Sequence, residues 1–421
     1  MIAKALSLHS LAALNRDGRL LFAARMARMF AYGLISVTLA LYLAELGFSG
    51  PRIGLLLTLT LAGDTLVSLG ITTTADRAGR REMLIAGAAL MIGAGIVFGL
   101  SANYWVLVAA ATIGVISPSG NEVGPFLAIE HSCLAQALPA ETRTSVFAWY
   151  NLCGSVATAV GALVGGVAVD GLQKAGLPAL ASFRAVVYGY AAIGAALIGL
   201  FSVVSSRVEA AASRVENPAP VFLGLHKSKR VVFQLSSLFA MDAFAGGFIV
   251  QSIAAYWFHE RFGVAPSTLG AIFFGANLLA GASALSAAAL ARRVGLLETM
   301  VFTHIPSNFL LILVPLMPNL PLAIAVLLLR FSISQMDVPT RQAYTMAMVD
   351  PDERSAAAGI TGVARTAGAA ISPALAGLLL AVPALMSAPF FLSGGLKIVY
   401  DLLLYRKFRR FRPDEKQASP S

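Results

Sequence analysis

Four carboxylates sit where a carboxylate is costly. Asp64, Glu122, Asp242 and Asp337 each fall inside a long apolar run. A charge in such a run costs several kcal/mol unless it is paired, so it marks a functional position by default. Acids so placed suit proton exchange, with burial and neighbouring cations acting in opposite senses on the affinity for the proton. Arginines accompany them. Arg25 and Arg28 stand three residues apart with Tyr32 four further on, and Arg330, Asp337 and Arg341 follow at spacings of seven and four. On a helix each set shares one face. A guanidinium is a planar donor fork that suits a carboxylate, phosphate or oxyanion in transit. Arg25 and Arg28 could equally snorkel to a headgroup layer, and any of the acids could serve as the structural partner of an arginine.

Glu122 is the first choice for proton or cation coupling because of its setting. It lies in Ser117-Pro118-Ser119-Gly120-Asn121-Glu122-Val123-Gly124-Pro125. Each proline removes an amide donor and frees a carbonyl one turn back. Broken backbone at membrane depth is tolerated where it lines a cavity or packs in protein. Pro339 is expected to interrupt a second helix beside Asp337, with Gln335 and Gln342 nearby. Asp64 and Asp242 are further coupling candidates. Arg28, Tyr32, Asn121, Arg330, Gln335 and Arg341 are the candidates for contact with a solute. Arg365 is expected to pair with one of the acids. Glu130 and His131 are placed near a mouth, and His304 reads as a packed core histidine. No phosphate-cradling glycine loop, zinc spacing or nucleophile constellation is present, so neither an enzyme nor an ATP-driven pump is expected, and no cofactor or metal.

The elements that must hold these residues follow from composition. Of 421 residues, 57% are hydrophobic and 12% charged, against about 25% charged in soluble domains. The expectation is an all-α polytopic membrane protein, since runs of about 20 residues cross a core of about 30 Å. About twelve spans fit, near 20–45, 52–75, 83–101, 104–136, 144–169, 184–206, 231–258, 267–291, 297–317, 320–349, 354–380 and 384–405. Residues 1–19 read as an amphipathic lead-in rather than a cleaved signal. The net charge of +10 gathers in alternate loops, at Arg77, Arg80 and Arg81, at Arg292 and Arg293, at Lys227, Lys229 and Arg230, and in the tail from Arg406. That pattern is the positive-inside rule and not a nucleic-acid surface. It puts both termini in the cytoplasm. Tyr42, Trp105 and Trp257 read as interfacial anchors. Cys133 and Cys153 imply no disulfide framework.

An internal repeat divides the chain. Gly47, Gly54, Arg77, Gly79 and Glu82 line up with Gly263, Gly270, Arg293, Gly295 and Glu298 at one constant offset, and Pro139, Glu141 and Gly165 with Pro351, Glu353 and Gly377 at a slightly smaller one. The second offset carries Glu122 to Ser334, three residues before Asp337. The halves are 1–206 and 231–405, joined by a polar linker, 207–230, and followed by a basic tail, 406–421.

The loop Asp76-Arg77-Ala78-Gly79-Arg80-Arg81 after the second span resembles the signature of the major facilitator superfamily. The two six-span halves resemble that family over roughly residues 20–405. In the second half Arg292 stands in place of the acid, and Leu296 and Leu297 replace two basic positions. The resemblance implies two pseudo-symmetric six-helix bundles around a central cavity. It also implies a loop latch formed by Asp76, Arg77, Gly79, Arg80 and Arg81. Gly154, Gly161 and Gly165-Gly166 partly resemble the antiporter motif of exporters, with Gly166 where that motif expects a proline. The resulting expectation is a monomeric secondary transporter of a bacterial cytoplasmic membrane. It would move a small solute by proton-coupled efflux, with the proton gradient as energy source and lipids as surroundings. Uptake or exchange of an organic or inorganic anion is the alternative, and a non-transporting membrane sensor a second one. The pairing of Arg28, Arg330 and Arg341 separates the first two: arginines locked to acids favour a neutral or cationic solute, unpaired ones an anion.

Overall fold

The computed structural model describes residues 14–122, 124–138, 140–205, 208–209 and 225–409. Among these the chain is almost entirely helical, with no strand. In chain order the helices are α1 (Arg16–Glu45), α2 (Gly50–Ala78), α3 (Arg80–Leu100), α4 (Tyr104–Ile113), α5 (Phe126–Ala137), α6 (Ala140–Lys174), α7 (Ala179–Ser202), α8 (Lys229–Gly247), α9 (Gln251–Phe262), α10 (Pro266–Val294), α11 (Leu296–Leu313), α12 (Leu320–Phe331), α13 (Asp337–Met348), α14 (Arg354–Leu380) and α15 (Ala388–Phe408). Among the described residues ten helical segments, counting α8 and α9 as one, are long and apolar enough to cross a membrane. The fourth, seventh and tenth expected spans are interrupted, into α4 with α5, α8 with α9 and α12 with α13. Large apolar side chains such as Leu66 and Leu100 stand exposed on the helices, as they would where the solvent is lipid. The protein is a multi-pass membrane protein.

Local chemistry sets the ends. Asn15 opens α1 by accepting the Gly18 amide at 2.8 Å. Asn103 opens α4 by accepting those of Trp105 and Val106. Carboxylates do the same at two other helix starts, where the positive end of the dipole favours them. Glu209 accepts the Arg80 and Arg81 amides at 2.7 and 3.2 Å, at the start of α3. Glu353, outside the spans, accepts the amides of Lys227 and Ser228 at 2.8 and 2.9 Å and that of His226. Burial opposes the Glu353 charge, but the Ser228 hydroxyl and the three amides hold its carboxyl down at about 2.

The repeat is legible in the backbone. Gly79 and Gly295, before α3 and α11, have φ of 101° and 103°, and Gly47 and Gly263 have 83° and 63°. A side chain is disfavoured in that region, which explains glycine at matched positions.

Two compact units are distinguishable. The first comprises residues up to 213 with 249–281 and 373–386; the second comprises 214–248, 282–372 and 387–421. In the first, α1 and α6 meet backbone to backbone. A Cβ on Gly161 would lie 2.0 Å from the Phe30 carbonyl oxygen, and one on Gly33 would lie 2.1 Å from that of Thr158. Small residues allow such approach in lipid, where dispersion and packing replace the hydrophobic effect. Gly165 meets the Leu34 carbonyl and Gly166 that of Pro266, so the glycine run of α6 is a packing stripe. We expect Gly161→Val to cost about 3 kcal/mol or more, because a carbonyl on a helix cannot give way as a side chain can. Thermal unfolding in detergent measures it, and an unchanged midpoint would refute the backbone contact.

Also within the first unit, two helix breaks complete each other. α9 starts at Gln251, leaving the Ser252 amide without a helical acceptor. That amide donates to the Pro118 carbonyl at 3.0 Å, and the Ser252 hydroxyl reaches the same carbonyl at 2.8 Å. Gln251 Nε2 donates to Ser36 Oγ at 2.7 Å.

Two of the expected anchors are corrected. Tyr42 and Trp257 are fully buried, whereas Trp105 is 69% exposed. Trp257 packs edge-on against Phe258 and Phe262, so it fills a core where a position near a span end suggested an interface.

Candidate functional site

The intramembrane charges gather into two networks, one in each compact unit. In the first unit, the described backbone between Ile113 and Phe126 is not helical. Pro118 and Pro125 exclude the ladder there, and Gly120 and Gly124 take positive φ of 70° and 81°. The break turns Glu122 toward α1. Its Oε2 accepts from Arg25 Nη1 at 2.6 Å and its Oε1 from Arg28 Nε at 2.8 Å. Arg28 then grips Glu130 of α5 in a two-pronged pair at 2.7 and 2.7 Å. The Tyr150 hydroxyl donates to the same carboxylate. Arg25 also donates to the Tyr150 carbonyl at 3.0 Å and to Asn151 Oδ1 at 3.3 Å. Arg28 and Glu130 have no exposed surface. Two arginines against two glutamates make this network neutral, and neither arginine snorkels.

Asp64 stands apart from those cations. Its Oδ1 accepts the Gly124 amide at 2.5 Å and the Ser68 hydroxyl at 3.4 Å, and among the described residues it makes no ion pair. Tyr32 is fully buried. Asn121, next to Glu122, is exposed.

In the second unit Asp242 of α8 is a hub. Its Oδ1 accepts from Lys397 Nζ at 2.6 Å. Its Oδ2 accepts from Arg341 Nη1 at 3.1 Å and Arg365 Nη1 at 3.4 Å. Arg341 Nη1 also reaches Asp337 Oδ2, one turn back on α13, at 2.8 Å. His304 of α11 lies between two carboxylates, with Nδ1 2.9 Å from Asp401 Oδ1 and Nε2 3.9 Å from Asp242 Oδ1. Asn308 Nδ2 donates to Asp401 Oδ2 at 3.2 Å. Asp242, Asp337 and Asp401 therefore face Arg341, Arg365 and Lys397, and His304 and the buried Tyr400, whose rings meet edge to face, are further titratable groups beside them.

The tenth span does not carry one continuous stripe. Pro339 cannot donate to a helical ladder and its ring crowds the carbonyl of Gln335, so α12 ends at Phe331 and α13 starts at Asp337. Asp337 and Arg341 stay together, and Arg330 is left on the other side of the break. Among the described residues its guanidinium makes no ion pair or hydrogen bond, and its Nε is buried without a partner. The Gln335 amide donates to Ser283 Oγ at 3.3 Å.

Of the loop residues, Gly79 supplies the positive-φ turn between α2 and α3. Arg80 Nη1 donates to the Val208 carbonyl at 3.3 Å and Arg81 Nη2 to that of Ser202 at 2.6 Å. The side chains of Asp76 and Arg77 lie outside the described residues, as do residues 210–224 of the linker and the tail from 410. Among the described residues, no cluster of His, Cys, Asp or Glu is set to hold a metal ion.

Sequence reasoning passed over Lys397 and Asp401. The signal was present: two charges four residues apart in the twelfth apolar run, the same pattern that singled out Arg25 and Arg28. His304 is a core histidine in burial, yet it sits between two carboxylates.

Comparison with known proteins completes the picture. The profile of the Major Facilitator Superfamily matches residues 21–336 and 237–421. An uncharacterized membrane protein of Saccharomyces cerevisiae, YJR124C, is 30% identical over 419 residues, covering 93% of each chain. A crystal structure of a mutant of the nucleoside transporter NupG superposes with a TM-score of 0.77 at 14% identity, covering 94% of this chain and all of that one. A bacterial homolog of the human lysosomal transporter Spinster gives 0.70 at 16% over 99% of this chain and all of its own. A D-xylose-proton symporter gives 0.68 at 13% over 92% and 97%. At these identities the structures speak for the fold, and the profile and the yeast relative for descent: this chain belongs to the major facilitator superfamily and is a membrane transporter.

Proposed function

We propose that the chain is a proton-coupled secondary transporter of a small solute and that His304 carries the proton. The observation that supports this is the placement of His304 between Asp401 and Asp242. With Nδ1–H donating to Asp401, the lone pair of Nε2 faces Asp242. A proton taken there lies between the ring and that carboxylate, and Asp401 holds the ring in register. The proton also changes the network. Three acids then face four cations, and the imidazolium competes with Lys397, Arg341 and Arg365 for one carboxylate. That competition is a means of linking protonation to movement of α8, α11, α13, α14 and α15.

Glu122, the first choice from sequence, is assigned a different role in this reading. Two guanidiniums hold it at 2.6 and 2.8 Å, so it serves as the tie between the break and α1. Asp64, free of cations among the described residues, is the second coupling candidate. Asp76, Arg77, Gly79, Arg80 and Arg81 remain the proposed latch.

Export was the direction expected from the glycine run of α6, which the helix packing accounts for. A second reading is favoured by Arg330, the cation without an acid. A proton added to a balanced network leaves positive charge in excess, and that attracts an anion. Proton and anion then travel together, which under an inward proton gradient means uptake.

Full-length protein in liposomes, with pH gradients of either sign and radiolabelled carboxylates beside their neutral amides, tests both readings. His304→Gln is expected to lower gradient-driven accumulation at least about tenfold while solute exchange without a gradient persists. If His304→Gln accumulates solute as the wild type does, His304 carries no proton. Accumulation of the acids when the outside is acidic supports uptake; loss of preloaded solute under the same gradient supports export.

A further inference from the structure

The break between α12 and α13 carries polar groups that the ion networks leave unused. α12 buries Ala323 and Leu327 on one face. Arg330 is the next residue on that face at helical spacing, and Ser334 lies in the turn that follows the end of α12 at Phe331. The face turned away is exposed, with Leu322 at 45% and Leu329 at 57%. Arg330 thus points with the buried stripe and not with the exposed one. Its Nε is buried with no hydrogen-bond partner, and so is the hydroxyl of Ser334, a residue 4% exposed. The face of the Phe331 ring lies 4.9 Å from the guanidinium. Asp337 is the described acid whose charge acts on Arg330, but its Oδ2 is committed to Arg341 at 2.8 Å.

A half-buried guanidinium with a buried Nε and no acid is an unfavourable arrangement by itself, since a polar group taken from water without a partner costs free energy. The negative end of the α12 dipole offsets only part of that. Two donors four residues apart in the chain, each with a buried atom that has no partner, one charged and one a hydroxyl, suit a planar anion. Lipid headgroups do not reach it. Arg330 lies ten residues beyond Leu320, about 15 Å along the helix axis, and that is about half of a hydrocarbon core of about 30 Å. The anion therefore arrives with a solute.

We propose that this break is the subsite for a carboxylate group of the transported solute, with Arg330 as the counter-charge and Ser334 as a hydroxyl donor. One guanidinium fork and one hydroxyl match the two oxygens and single charge of a carboxylate. A phosphate dianion would call for a second cation. The inference rests on the transport reading and deepens its anion branch, but it does not depend on His304 or on proton coupling.

Thermal unfolding of the purified full-length protein in lipid nanodiscs tests it without knowledge of the solute. The probes are formate, acetate, lactate and benzoate, with acetamide and benzamide as neutral counterparts and inorganic phosphate as the other anion. The wild-type midpoint should rise with at least one carboxylate by about 3 °C or more, and not with its amide. Arg330→Gln should abolish that rise while leaving the probe-free midpoint equal to or above that of the wild type, because an unpaired charge has been removed. Arg330→Lys, which keeps charge and loses the fork, should retain a reduced rise, and Ser334→Ala should weaken it. The proposal is overturned if no carboxylate moves the wild-type midpoint, if amides match their acids, if phosphate alone acts, or if the rise survives Arg330→Gln. Proton flux through His304 variants is read separately, so loss of one result leaves the other standing.

Discussion

Asp242→Ala is expected to be the most damaging single substitution in the second unit. The aspartate is 3% exposed and receives Lys397, Arg341 and Arg365 at 2.6, 3.1 and 3.4 Å. Without it three cations share Asp337 and Asp401, and Asp401 is already engaged with His304 and Asn308. Removing one partner of a buried pair costs about 3–5 kcal/mol, and here three cations lose the same partner. We expect little folded protein from Asp242→Ala by fluorescence-detected gel filtration. Asp242→Ala/Lys397→Met restores the balance of charge and should recover part of the loss. Normal yield and an unchanged unfolding midpoint for Asp242→Ala would show that the hub does not hold these helices.

The second large effect belongs to Glu130. It is fully buried and grips Arg28 with both oxygens. Glu130→Ala leaves Arg28, itself without exposed surface, to share Glu122 with Arg25, and leaves the Tyr150 hydroxyl without its acceptor. The expected cost is again about 3–5 kcal/mol, and Arg28→Met/Glu130→Leu should be far milder than either single change, since an apolar replacement of a whole buried pair is often neutral. Chemical unfolding of the two single variants and the double variant completes the cycle. Additive losses would mean that the pair is not coupled.

These two substitutions also mark where sequence reading reached its limit. The all-helical, membrane-spanning architecture was legible because a chain with so few charges must cover its surface with lipid, and because a helix in lipid needs about 20 apolar residues. The breaks in the fourth and tenth spans were legible from Pro118, Pro125 and Pro339, since a proline removes a donor wherever it stands. Matched glycines such as Gly79 and Gly295 announced the repeat for an equally local reason, the positive φ that a side chain resists. Arg365 was expected to pair with an acid, and it does.

Partnership was not legible. Asp242 is alone in its span, and its cations come from α13, α14 and α15, about 100 to 155 residues away in the chain. Glu122 met Arg25 and Arg28 across a comparable distance. The stripe drawn through Arg330, Asp337 and Arg341 assumed a helix that Pro339 does not permit, so Arg330 separated from the other two. Local sequence determined which residues are helical, where the helices end, and that charges lie within them, because propensity, ladder chemistry and hydration act over a few residues. Which charge faces which was decided only by tertiary packing. An ion pair depends on the rotation and depth of two helices, and these are set by backbone contacts such as Gly161 on Phe30 and Gly33 on Thr158.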